Sequence, residues 1–125
     1  MKEEIRSFRD LIVYKRLKKL HMEVHDLTME FPKHEMYEIG SQLRRSSNSA
    51  PANVAEGWNN RHINVYIESV NRALGEVHET EHHLDICLDK KYLKKDRHEY
   101  FAKEYDECGR MLKGLLRALE LRNRS

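Results

Sequence analysis

The sequence predicts an all-α protein: an antiparallel, up-down-up-down four-helix bundle whose second helix is kinked at Pro51. Three observations lead there. Apolar residues recur at alternating steps of three and four in four separate stretches, the spacing that lines one side of an α-helix. With only 5 Gly and 2 Pro, few positions break a helix. Charged residues make up 35% and hydrophobic ones 39%, the mixture of helices with one face in water. The 125 residues suit one domain, residues 1–125, built around a single core.

The first helix, over about residues 9–31, carries the seam Val13, Leu17, Leu20, Val24, Leu27 and Phe31, and Pro32 stops it. The second, about 34–57, repeats the alternation in Met36, Gly40, Leu43, Ser47, Ala50 and Val54. Its period runs unbroken through Pro51, so one bent helix is expected, with hydroxyls of residues 46–49 as partners for the carbonyl that proline frees. Gly57 ends it, and Asn59 or Asn60 can cap the third helix. That helix, about 61–89, has the seam Ile63, Ile67, Val70, Leu74, Val77, Glu81, Leu84 and Leu88. The fourth, about 94–122, carries Phe101, Tyr105, Cys108, Leu112, Leu115 and Leu119. Turns of a few residues between such helices require antiparallel neighbours.

A net charge of +2, from 23 basic and 21 acidic side chains, is too balanced to identify a partner. Its distribution is uneven: residues 62–93 carry 3 basic against 6 acidic side chains, while 94–125 carry 9 against 6. The basic residues fall on the first and last helices, as Lys15, Arg16, Lys18 and Lys19, then Lys94 and Lys95, then Arg117, Arg122 and Arg124. Repeated around an oligomer, such patches suit RNA, whose binding weakens steeply with salt. Cys87 and Cys108 belong to no CxxC pair and read as free thiols of a reducing cytoplasm. The first ten residues lack the apolar core of a signal peptide, and nowhere do 18 apolar residues run together, so a soluble cytoplasmic protein without membrane contact is expected.

One stretch raises a catalytic possibility. His78-Glu79-Thr80-Glu81-His82 fits H-E-x-x-H, in which two imidazoles one turn apart hold zinc. At about 100° per residue from a core-centred Val77, however, His78, Glu79 and His82 point away from the interior. There is no third ligand in pattern and no strand to align a substrate. A di-iron bundle requires two E-x-x-H pairs, and only Glu79-x-x-His82 is present. Nucleophile elbows and glycine-rich phosphate loops are missing from the sequence. No enzyme activity, metal or cofactor is expected, although adventitious metal at His78, His82 and His83 stays open.

The informative feature lies opposite the seams. The outer stripe of the second helix is Arg45, Asn48, Ser49, Ala52 and Glu56; that of the third is Glu68, Arg72, Gly75 and Glu79. A wet helix face normally carries long charged side chains, since glycine there costs about 1 kcal/mol without a contact in return. Small residues with isolated charges suit a packed contact between copies, Arg45 or Arg72 meeting Glu56 or Glu79 of another subunit.

The stretches FRDLIVYKRLKKL (8–20), FPKHEMYEIGSQLRRSSNSAPANVAEG (31–57) and ALGEVHE (73–79) resemble the bacterial proteins encoded in intervening sequences of 23S rRNA genes. The most specific parts are F-x-D-L-x-V-Y, F-P-x-x-E-x-Y, Q-L-R-R, the SAPANVAEG run and A-x-G-x-x-x-E. The resemblance implies a four-helix bundle assembled as a ring-shaped homopentamer, without established enzymatic activity; related bundles are accessory proteins of diversity-generating retroelements that contact nucleic acid. The family's polar signature falls on Gln42, Arg44, Arg45, Ser46, Ser49, Asn53, Glu56, Gly75 and Glu79. Glu76 departs from the usual serine, and the GY often found after the third helix appears as Lys91-Tyr92. The expectation is a non-enzymatic homo-oligomer whose partner is RNA or a nucleic-acid-processing protein. A structural assembly without nucleic acid, and a metal-dependent hydrolase through the HETEH stretch, are the alternatives.

Overall fold

The computed structural model of the chain describes residues 4–124; residues 1–3 and 125 of the expected domain lie outside them. It is all-α. A 3₁₀ turn, Phe8–Asp10, precedes α1 (Ile12–Thr28); a single-turn helix, α2 (Lys33–Met36), precedes α3 (Ile39–Gly57); α4 (Ile63–Asp89) and α5 (Lys95–Asn123) complete the chain. Among the described residues there is no strand. The long helices close a circuit, α3 packing on α1 and α4, α4 on α5, and α5 on α1. Their buried side chains form one apolar cluster. Among the described residues no helix is long and apolar enough to cross a membrane.

The expected seam of α1 is buried at every position from Val13 to Phe31, and five of the six expected α5 residues are buried, Leu115 being half-exposed. α1 is shorter than its seam at both ends. At its start, Ser7 and Asp10 form a capping box that holds the 3₁₀ turn, and Leu11 is extended. After Thr28 the amides of Met29, Glu30 and Phe31 bond three residues back rather than four, a tightening that leads into Pro32.

The second expected helix is broken in two at Tyr37 and Glu38. Arg44 explains the break: its guanidinium donates to the Met36 carbonyl at 3.0 Å, taking an acceptor that a continuous helix would use. Gly40 makes room, since a Cβ there would meet the Glu35 carbonyl at 3.3 Å and Arg44 Nη1 at 3.1 Å. α3 then continues through Pro51. The nearby hydroxyls are engaged elsewhere: Ser46 with Thr80, Ser47 with His21 and the Arg44 carbonyl, Ser49 with Asn53. α3 ends at Gly57, where a Cβ would lie 1.8 Å from Ser69 Oγ; only a glycine lets the two helices come this close.

The seam of α4 is rotated relative to the expectation. Buried positions are Tyr66, Ser69, Val70, Ala73, Val77, Thr80, Leu84 and Cys87, whereas Ile63, Ile67, Leu74, Glu81 and Leu88 are half-exposed flanks. The reason is steric: the side turned to α3 is lined by Ser69, Ala73 and Thr80, and small residues permit the closer approach. The expected asparagine cap is not made: His62 is the N-cap of α4 and has no side-chain cap bond, and Asn60 instead accepts from the His62 amide at 2.9 Å in the turn before the helix.

The far end is anchored by Glu35, which is buried and accepts from Lys90 Nζ at 2.9 Å. Lys90, and then the Tyr92 hydroxyl, hold this carboxyl below its ordinary range. Between them stands Lys91 with φ 65°, a left-handed conformation that costs an L-residue about 1 kcal/mol or more. Replacing Lys91 with Gly should therefore stabilise the fold by about 1 kcal/mol. Urea denaturation checks this: the midpoint should rise with an unchanged slope, and a fall would show that Lys91 makes contacts worth more than its strain.

Candidate functional site

The family-like polar run on α3, Arg44 to Ser47, is used inside the chain. Arg44 Nη1 donates to Thr28 Oγ1 of α1 at 2.8 Å, beside its bond to Met36. Arg45 turns the other way, to Glu76 at 3.0 Å and to Glu79, both on α4. Thr80 Oγ1 lies 2.8 Å from Ser46 Oγ in a fully buried pair, and His21 Nδ1 lies 2.8 Å from Ser47 Oγ. Four consecutive residues thus tie α3 to both neighbours, the outer two, Arg44 and Ser47, to α1 and the inner two, Arg45 and Ser46, to α4. The 100° step between residues makes this possible.

This geometry corrects the expected pairing of Arg45 with another subunit: Arg45 meets Glu79 within one chain. Burial pushes the Glu79 carboxyl up, but Arg45 and His83 more than offset it and hold the group below its ordinary value. Arg72 pairs with Glu68 one turn back on its own helix at 3.0 Å. Glu56 is exposed and has no ion-pair partner among the described residues. Gln42 is exposed as well. Asn53 is half-buried and donates to the Ser49 carbonyl at 2.9 Å and hydroxyl at 3.1 Å, fastening its amide to α3.

Still open along α3 is a ridge of small residues with a depression on each side. Towards α4, Ser49, Asn53, Arg72, Gly75 and Glu76 line a shallow groove of about 490 Å³. A Cβ on Gly75 would meet nothing within 4 Å. Ala52 is exposed at the crest. Towards α1 lies a second depression of about 420 Å³, with Phe8, Tyr14, Pro51 and Ala55 among its walls. No pattern in the sequence points to it, because its walls come from segments some forty residues apart.

The basic residues do not gather into one patch on a single chain. Lys15, Lys18 and Lys19 are exposed on α1, Lys19 lying 3.8 Å from Glu23. Arg16 is held by Glu107 of α5 at 2.8 Å, a bond that, first among its causes, raises its pKa. Lys94 and Lys95 stand at the start of α5, with Arg117, Arg122 and Arg124 towards its end, all exposed. Lys95 and Arg122 are separated by about 40 Å of helix.

The histidines of the HETEH stretch do not form a coordination shell. His78 and His82 are exposed, while Glu79 is engaged by Arg45 and by His83 at 3.3 Å. Among the described residues no three His, Cys, Asp or Glu side chains converge to hold a metal ion. Cys87 and Cys108 are free and buried, and burial pushes the Cys87 thiol up to about 12 and that of Cys108 to about 11.

A four-helix all-α protein with a polar run that joins helix to helix, and open grooves beside it, defines the class. The chain belongs to the family described as 23S rRNA-intervening sequence protein, which it matches over residues 9–114. Among solved structures it is similar to a protein of unknown function from the S23 ribosomal protein family of Bacteroides thetaiotaomicron. The two share 21% identity and a TM-score of 0.78, over 84% of this chain and 98% of the other. At that identity the likeness speaks for the fold alone. No match was found among curated proteins.

Because Arg44 serves the interior, its loss should register as stability. Arg44→Met leaves Thr28 and the Met36 carbonyl without their donor and should cost about 1–3 kcal/mol, whereas Arg72→Ala at the surface should cost under about 0.5 kcal/mol. Thermal melts of the two variants check this; equal effects would remove the distinction between them.

Proposed function

We propose that the protein is a non-enzymatic, cytoplasmic homo-oligomer, a pentamer, that works by binding RNA. In this reading the chain is one domain whose helices run up-down-up-down, with α3 bent at Pro51. Pairs of contacts support these directions. As α3 advances from Ser46 to Gly57, its partners on α4 recede from Thr80 to Ser69. As the chain advances through Arg16 and Glu23 of α1 and Glu30 just beyond it, its partners on α5 recede through Glu107, Tyr100 and Arg97.

The observation that carries the functional reading is the division of the surface. The side shared by α3 and α4 offers Ser49, Ala52 and Gly75, small and open, with Glu68, Arg72 and Glu76 around them. Elsewhere α1 and α5 carry Lys15, Lys95 and Arg117, exposed and outside any ion pair among the described residues, and Lys18 of α1 stands at the groove towards α3. One side can be covered by a sister copy while the other stays free for a polyanion. Assembly then supplies what a single chain lacks: five sets of separated cations arranged around one axis, each adding a phosphate contact.

Sedimentation tests the assembly, which should have five times the 15.0 kDa chain mass. Gly75→Leu, which places a bulky side chain in the open groove, should shift that mass towards the single chain without lowering the helical content. RNA affinity should fall by orders of magnitude between about 50 and 200 mM salt if six or more phosphates are contacted. A chain that stays monomeric at high concentration contradicts the assembly. RNA binding that is absent at low salt contradicts the nucleic-acid reading and leaves a structural assembly.

A further inference from the structure

The two depressions beside α3 differ in charge. The α4 side has Arg72 and Glu76 together, a mixed pair suited to self-association. The α1 side has Lys18, His21 and Asn48 as its polar lining and no carboxylate among its lining residues. Its volume of about 420 Å³ lies within the roughly 300–1,000 Å³ range of small-ligand sites. Its wall is held in place by local structure. The Ser7–Asp10 capping box fixes the 3₁₀ turn so that the Phe8 ring meets the Tyr14 ring edge-on at 5.0 Å. Arg9 lies 4.5 Å over the Phe8 ring, which places a further positive charge beside the aromatic wall.

We propose that this groove seats one unstacked base of a single-stranded RNA, with the base plane against Tyr14, its polar edge towards Asn48 and His21, and its phosphate at Lys18. This rests on the RNA reading and adds a site to it. Single-stranded RNA is recognised by stacking splayed bases on aromatic rings and bonding their edges, which needs an aromatic wall, amide and imidazole groups and a cation within one nucleotide's reach. All four are present. The Asn48 amide is exposed and makes no hydrogen bond among the described residues. His21 is held through Nδ1 by Ser47, which leaves Nε2 for a ligand. Burial, and then His25, lower the His21 pKa, so at neutral pH the ring is uncharged and serves as either donor or acceptor. Lys18 is exposed without an acidic partner among the described residues. Charge favours this occupant, because a polyanion complements Lys18 and Arg9 and no carboxylate lines the groove to repel it.

The experiment uses the full chain and three fluorescent probes of equal length: a single-stranded oligoadenylate, an RNA duplex, and an abasic strand of the same charge. The single strand should bind about tenfold more tightly than the abasic strand. Ala55→Leu, which fills the groove from its α3 wall, and Asn48→Leu should abolish that preference while leaving abasic binding and the sedimentation mass unchanged. Lys18→Ala should weaken all three probes and reduce the salt slope by about one unit. Circular dichroism melts confirm that each variant is folded, and Asn48→Leu, on an exposed position, keeps the test intact if Ala55→Leu is not. Salt-dependent binding with no preference for bases overturns the base site and leaves the RNA reading standing. Failure to bind any probe overturns both. Loss of sedimentation mass in Ala55→Leu, with base preference kept, assigns the groove to a subunit contact and overturns the proposal.

Discussion

The architecture depends on how α3 is tied to its neighbours through Arg44, Arg45, Ser46 and Ser47. Arg44 and Ser47 take partners on α1, Thr28 and His21, with Arg44 also bonding the Met36 carbonyl, while Arg45 and Ser46 take the acids and Thr80 of α4. A buried hydrogen bond contributes only about 1 kcal/mol net, whereas a partner left unmade costs about 1–3 kcal/mol. Burying Leu17, Leu43, Val70 or Leu112 contributes about 1.5–3 kcal/mol each. Adhesion therefore comes from the apolar core, and the polar run sets register: sliding α3 by one turn strands several polar groups at once. Small residues are the precondition, because only Gly57 against Ser69, and Ser46 against Thr80, bring the helices near enough.

Much of this is legible from apolar period alone. α1 and α5 have strong seams of Leu, Val and aromatic residues, and the structure buries almost all of them. α4 is harder because its face towards α3 is written in Ser69, Ala73 and Thr80, which a hydrophobicity reading assigns to the flank. The break before α3 is hidden for a related reason: the side chain responsible, Arg44, lies six residues beyond Glu38 and acts through a bond to backbone. The outer stripes follow from angle alone. Angle cannot tell a flank that meets the next helix from one that meets another molecule, so it assigns the Arg45–Glu79 pair to a contact between chains when the pair lies within one.

The HETEH stretch shows the same limit of motif reading. Glu79 is at the spacing a zinc protease requires, yet its carboxylate is engaged by Arg45 across the α3–α4 contact and by His83 on its own helix. The flanking His78 and His82 are exposed. A residue that looks like the base of a hydrolase thus contributes to the tie that orients α3. With Arg44 to Ser47 occupied by the fold, the α3 surface left open includes the small crest around Ala52, the two grooves beside it, and the exposed Gln42 and Glu56. One groove has mixed charge and the other an aromatic wall with a basic mouth.

A double-mutant cycle on the buried Ser46–Thr80 pair tests the register claim most directly. Ser46→Ala and Thr80→Val should each destabilise the fold by about 1–3 kcal/mol, and the double variant should lose clearly less than their sum, a coupling of about 1 kcal/mol. Strict additivity, or single substitutions without effect, would contradict it, since α3 would then be positioned by apolar packing alone.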